Sequence, residues 1–200
     1  MSDDTAAHKA DMQKLQKVQR EKVAELRDPE RGLVLVHTGN GKGKSSSAFG
    51  VAIRAIGWKQ TVGVVQFIKG TWVTGERQFF QQLGGVDWYT MGEGFTWDTQ
   101  DKARDIQAAE AALARAAEML ACGKYDLIIL DEINIALRYH YLTPEAVIAA
   151  LDKRASKTGA ILTGRDAPEA VCAYADLVSV IEEQKHPFQN GIKAQRGVDF

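Results

Sequence analysis

Residues 38–45 read T-G-N-G-K-G-K-S, after the apolar run G-L-V-L-V-H and before a helical pattern that reaches Ile56. Few folds accept that order. A glycine-rich turn from a buried strand into a helix is the first half of a strand–helix–strand unit, and such units build parallel sheets. Gly39, Gly41 and Gly43 allow positive φ and a close approach to an anion. Successive N–H groups and the positive end of the helix starting near Lys44 favour phosphate. Lys44 supplies a compact charge and Lys42 a second one. Ser45 offers a hydroxyl of the kind Mg²⁺ or Mn²⁺ takes as a ligand. Asn40 and Ser46 complete the candidate cradle. The usual spacing, G-x-x-x-x-G-K-[ST], is missed by one residue: Thr38 holds the first glycine position and Gly39 follows it. The loop is either a damaged hydrolytic loop or one that holds a nucleotide for another purpose.

Further apolar runs rich in β-formers alternate with helical patterns. Strands are expected at 32–38, 61–67, 86–91, 125–132, 159–164 and 176–181. Helices are expected at 44–56, 76–83 and 99–122, from Pro144 with Thr143 as cap, and from near Pro168. This alternation predicts a three-layer α/β fold of the P-loop, RecA-like kind, its mostly parallel sheet covered by helices on both faces. Residues 1–30 differ. They are highly charged and lack glycine, and Met12, Leu15, Val18, Val23 and Leu26 form a thin apolar stripe. A helical arm over about 10–27 is one reading and a solvated arm is the other. The expected division is an arm at 1–30 and a P-loop domain at 31–200.

The formal net charge of -1 gives no broad electrostatic reason for nucleic-acid binding. No apolar run reaches the roughly 20 residues of a membrane span, and the first residues show no secretory signal. Cys122 and Cys172 belong to no paired motif, which suits a reducing cytoplasm. His8, His37, His140 and His186 lack metal-ligand spacing, and His186 reads as structural or peripheral.

A second signal supports the loop. L-I-I-L-D-E, residues 127–132, is a buried strand ending in acid, the Walker B pattern. It delivers Asp131 and Glu132 to the carboxyl edge of the sheet, where ligands of open α/β folds gather. One carboxylate is expected on the metal; the other either orients a water or helps to hold the metal. Arg165 is a phosphate contact or a surface arginine. Arg54, further along the loop's own helix, reaches ligand or pairs with a surface acid. Neither decides between hydrolysis, with Glu132 positioning water, and a nucleotide-binding regulatory module.

A wider set of motifs narrows the choice. T-G-N-G-K-G-K-S is followed in order by V-V-Q-F-I-K-G-T-W (64–72), G-E-R (75–77), G-F-T-W (94–97), L-D-E, T-G-R (163–165) and K-A-Q-R-G-V-D-F (193–200). From about Gly32 onward the chain resembles the P-loop ATP:corrinoid adenosyltransferases, the cob(I)alamin or cob(I)yrinic acid a,c-diamide adenosyltransferases. The short loop is typical of that family, with Ser45 where Thr is common. The resemblance implies that Co(I) attacks the 5′ carbon of ATP and triphosphate leaves, in making or salvaging adenosylcobalamin. It implies a nucleotide lying reversed, with the loop gripping the γ-phosphate region. It assigns Phe95 and Trp97 to the lower face of the corrinoid, where they exclude an axial ligand and ease reduction of cobalt. It implies a cobalamin or cobinamide-type co-substrate, a reduced flavodoxin-like flavoprotein as electron donor, a homodimer, and an N-terminal helix that covers the substrates.

Overall fold

The computed structural model describes residues 2–68, 74–90 and 101–199. The chain divides into two units, residues 1–30 and 31–200. The first unit contains helix α1, Ser2–Ala24, whose Met12, Leu15, Val18 and Val23 are exposed.

In the second unit the strands are β1 (Val34–Thr38), β2 (Val62–Gln66), β3 (Val86–Thr90), β4 (Leu127–Asp131), β5 (Gly159–Thr163) and β6 (Leu177–Val180). They form one sheet in the order β3-β2-β4-β5-β1-β6, and every neighbouring pair is parallel. Between them run α2 (Lys44–Gly57), α3 (Gly75–Leu83), α4 (Lys102–Ala121), α5 (Ile133–Arg138), α6 (Pro144–Asp152) and α7 (Glu169–Tyr174).

The period-2 alternation of each strand sorts the core into two layers. Val34, Val36, Val65, Ile128, Leu130, Ala160 and Leu162 face one way, against Ala112 and Leu120 of α4, Ile133 of α5, Leu151 of α6 and Val171 of α7. Val62, Val64, Leu127, Ile129 and Ile161 face the other way, against Ala48, Phe49 and Ala52 of α2 and Phe80 of α3. A sheet buried on both faces needs continuous apolar strands, and four of these read V-L-V, V-G-V-V, L-I-I-L and A-I-L.

Three helices begin on local chemistry. Thr74, Asp101 and Thr143 accept hydrogen bonds from the first-turn amides of α3, α4 and α6. Helix α5 was not expected. It follows the acid of β4 with no side-chain cap, and Glu132 enters it at φ 60°. Tertiary packing of Ile133, Ala136 and Leu137 holds this short helix rather than propensity. The 3₁₀ turn Pro187–Asn190 was also missed. His186 starts it by accepting the Phe188 N–H at Nδ1, a structural role.

Candidate functional site

The loop leaves the carboxyl end of β1, and Arg165 after β5 and Ile181 after β6 reach it. Gly43 caps α2 at φ 113° with no side-chain cap, and the first turn of α2 carries no acid. The amides there lack an intrahelical partner, so the helix end presents uncompensated positive potential. A Cβ on Gly43 would meet nothing within 4 Å, so this glycine faces open space.

The other two loop glycines match the sequence expectation only in part. Gly39 takes φ 96°, but Gly41 does not adopt positive φ. A Cβ on Gly41 would lie 2.6 Å from the Glu182 carbonyl oxygen, and one on Gly39 2.4 Å from that of Ile181. The Gly41 N–H donates to the Ile181 carbonyl at 2.7 Å. These two glycines let the loop lie against the backbone leaving β6. Close approach to the protein's own backbone thus requires glycine at these two positions.

Lys44 is 8% exposed, and its ammonium donates to the Gly41 carbonyl across the loop. Burial holds its pKa below the usual lysine range, while the nearby Glu132 charge opposes that shift. Lys42 does not add free charge: its ammonium pairs with Asp199 near the carboxyl end. Arg165 reaches the loop, its guanidinium 3.4 Å from the Asn40 carbonyl. Ser46 is exposed in the first turn of α2. Arg54 does not join them: it is exposed in the last turn of α2, about 15 Å along the axis from Lys44. Phe95 and Trp97 lie outside the described residues.

Beneath the loop, Asp131 is 3% exposed. Burial raises its pKa, against hydrogen bonds from Ser45, Thr163 and Gln66 that favour the charged form. Ser45 in the first turn of α2 and Asp131 at the end of β4 bring together a hydroxyl and a carboxylate. Such an all-oxygen donor pair fits Mg²⁺ or Mn²⁺, which complete their coordination with phosphate oxygens and water. Among the described residues there is no group of three or more His, Cys, Asp or Glu side chains that could hold a metal alone. Glu132 is partly buried, and burial with the Asp131 charge raises its pKa to about 7, against Lys44 and Arg165. Its left-handed backbone is uncommon for a non-glycine residue and costs about 1 kcal/mol or more.

Sequence reasoning gave no role to several residues that shape this site. Gln66 Nε2 donates to Asp131 Oδ2 at 3.0 Å, and Thr163 Oγ1 donates to Asp131 Oδ1 at 2.9 Å. Asn134, fully buried, donates to the Gly164 carbonyl at 3.1 Å and ties the turn bearing Arg165 to the start of α5. His37 lies under the loop, its Nδ1 2.8 Å from Ser47 Oγ, and burial lowers its pKa. A signal was present: Gln66, Thr163 and His37 are polar residues at the ends of apolar strand runs.

Residues 30–200 match the family described as ATP:corrinoid adenosyltransferase BtuR/CobO/CobP. The chain is 50% identical over 194 residues to a corrinoid adenosyltransferase of Pseudomonas aeruginosa, covering 96% of this chain and 95% of that one. It is 45% identical over 179 residues to a corrinoid adenosyltransferase of Escherichia coli K12, covering 90% of each. Among solved structures, the flagellar accessory protein FlaH of Methanocaldococcus jannaschii superposes with a TM-score of 0.51 at 16% identity, covering 76% of this chain and 71% of that one. That likeness concerns the fold alone, a RecA-like α/β arrangement.

Proposed function

The chain belongs to the ATP:corrinoid adenosyltransferase family, and from that premise we propose that it transfers the 5′-deoxyadenosyl group of ATP to the Co(I) centre of a corrinoid, releasing triphosphate. The cobalt electron pair forms the bond to C5′, the C5′–O bond breaks, and triphosphate departs with the electron pair of that broken bond. Co(I) is itself a strong nucleophile, so no side chain must be activated to attack. The residues' tasks are alignment and electrostatics; in-line positioning supplies up to about 7–11 kcal/mol in ideal cases.

The observation that carries the reading is the buried Asp131 carboxylate, held by Gln66 and Thr163 at the end of β4, together with the uncapped start of α2. In this proposal the amides of 39–45 and Lys44 grip the phosphates, and Lys44 trades the Gly41 carbonyl for phosphate oxygen. Arg165 approaches from the 164–166 turn, and Ser45, Asp131 and Glu132 hold Mg²⁺ or Mn²⁺, which neutralises triphosphate charge when bound. As the family resemblance implies, the loop holds the γ-phosphate region of a reversed nucleotide while the α-phosphate end reacts. Phe95 and Trp97 keep the lower face of the corrinoid free of a ligand. A reduced flavoprotein supplies electrons, and the enzyme works as a cytoplasmic homodimer in adenosylcobalamin synthesis or salvage. Among the described residues no helix is long and apolar enough to cross a membrane.

The partly buried Glu132, with its pKa near 7, supports a second reading as an ATPase in which it positions water. One anaerobic assay separates the two. Protein, ATP, Mg²⁺ and chemically reduced cobalamin are mixed, and the Co(I) spectrum and phosphate products are followed. Triphosphate with an alkylcobalt spectrum is expected; inorganic phosphate without corrinoid turnover selects the ATPase. Phe95→Ala and Trp97→Ala should lose more activity when Co(II) must be reduced on the enzyme than when Co(I) is supplied.

A further inference from the structure

Asp131 receives hydrogen bonds along the sheet from both sides. Thr90, Gln66 and Asp131 are register neighbours on β3, β2 and β4. Trp88 Nε1 donates to Thr90 Oγ1 at 3.2 Å, and that hydroxyl lies a long 3.5 Å from Gln66 Oε1. Gln66 Nε2 then donates to Asp131 Oδ2. From the opposite side the Glu132 N–H donates to Thr163 Oγ1 at 2.9 Å, and Thr163 passes its own proton to Asp131 Oδ1.

Both rows begin at a group that can only donate, an indole N–H or a backbone N–H. Each hydroxyl accepts there and turns its single proton onward. The Gln66 carbonyl therefore faces Thr90 and its amide nitrogen faces Asp131. The reverse orientation would set an amide oxygen against a carboxylate oxygen. Every donor along both rows points toward Asp131, which is kept as an acceptor with each oxygen fixed. The Trp88 ring is itself held: it stacks on Phe49 of α2 at 5.3 Å and lies 6.2 Å from the Phe80 ring.

We propose that Gln66 is a positioning residue that fixes the Asp131 carboxylate for metal binding, and that Trp88, acting through Thr90, sets which way the Gln66 amide points. The inference rests on reading Asp131 as a metal-holding residue. Groups behind a ligand typically change metal affinity ten- to hundredfold when removed, at roughly constant fold.

The test is Mn²⁺ binding by the full chain with ATP, read from the paramagnetic resonance of free Mn²⁺, beside the transfer rate at saturating Mn²⁺. Gln66→Met keeps side-chain length without a donor and should raise the Mn²⁺ Kd by about ten- to hundredfold, with kcat largely restored at saturation. Trp88→Phe keeps an aromatic ring beside Phe49, loses the N–H, and should shift Kd the same way by less. Unchanged affinity in Gln66→Met, or a kcat loss that saturating metal does not restore, overturns the role of Gln66. Parental affinity in Trp88→Phe overturns the role of the indole. Should Gln66→Met fold poorly, Thr90→Val retains side-chain shape and should also weaken Mn²⁺ binding; parental affinity there overturns the row. Asp131→Asn tests the premise separately: if it leaves Mn²⁺ affinity untouched, Asp131 is no ligand, whatever Gln66 does.

Discussion

Strand β4 has an aspartate at each end, and the two live in opposite environments. Asp126, just before the strand, accepts the Thr61 N–H at 2.9 Å and pairs with Lys157 at 3.1 Å. Those contacts hold its carboxyl below the usual range. Its backbone N–H and C=O also bond to Thr61 and Gly159, so it fastens β4 to the entries of β2 and β5. Asp131 is buried with neutral donors around it, and burial pushes its carboxyl up. Asp126 has the protein as its counter-charge. Asp131 has an acceptor-only carboxylate kept beside an uncapped helix end, an arrangement that makes sense when the missing positive charge arrives with a ligand.

The sharpest way to break this comparison is at Asp131. Asp131→Asn keeps shape while removing the charge, and its amide nitrogen must face one of the two donors. Transfer activity should fall by about 10²–10³, comparable to losing one strong transition-state contact of roughly 3–4 kcal/mol. Thermal stability should change little, because the buried charge cost disappears with the bonds it received. Parallel initial-rate and melting measurements check both halves. A large loss of stability with intact specific activity would make Asp131 a structural residue like Asp126.

How far the contrast was legible in sequence follows from the same strand. The apolar run and the acid after it locate β4 and its carboxyl edge, since burial on both faces demands that pattern. The loop residues 38–45, read as strand-to-helix turn, lie where the strand count put them. Asp126 gave no signal, because its partners Thr61 and Lys157 are distant in sequence and become neighbours only through parallel pairing. The pairing of Lys42 gave no signal for the same reason: Asp199 is distant from it in sequence. Gln66 stood in a quoted motif without a role, because its meaning depends on register with Asp131 and Thr90. Helix α5 was invisible because Glu132 supplies neither a cap nor an ordinary helical entry. Local chemistry is written locally, whereas lateral contacts across the sheet are written only in the register.

The opposite substitution completes the comparison. Asp126→Asn removes the charge from a hydrogen bond and an ion pair at the sheet's other edge. It should cost about 1–2 kcal/mol of folding free energy and leave kcat/KM essentially at the parental value. Denaturant unfolding and the adenosylation assay measure these.

Titration reverses sign between the two ends. Asp126, with its folded pKa lowered, contributes stability that is present above its ordinary value of 3.8 and lost as pH falls through the folded pKa. Glu132, beside Asp131, is raised from 4.5 to about 7. Its contribution is present below 4.5 and lost as pH rises toward 7, because the folded state then binds more protons than the unfolded one. The metal-free and nucleotide-free chain should therefore lose stability between these pH values. Glu132→Gln should flatten that slope while leaving the acid limb governed by Asp126. Urea midpoints across the range test this, and an unchanged slope in Glu132→Gln would remove Glu132 from the account.

The smallest expected effect separates the two contacts of Asp126. Lys157→Ala deletes the ion pair but leaves the Thr61 N–H on the carboxylate. The lysine side chain is 54% exposed and the aspartate 24%, so solvent and salt screen the attraction. The loss should be about 0.2–1 kcal/mol at low ionic strength and should shrink as salt is added. Asp126→Asn, which also weakens a partly buried hydrogen bond, should keep most of its larger cost in salt. If the two variants lose the same stability and both recover in high salt, the ion pair alone fastens this edge. The backbone bond to Thr61 would then count for little, and the contrast with Asp131 would reduce to the presence or absence of a lysine.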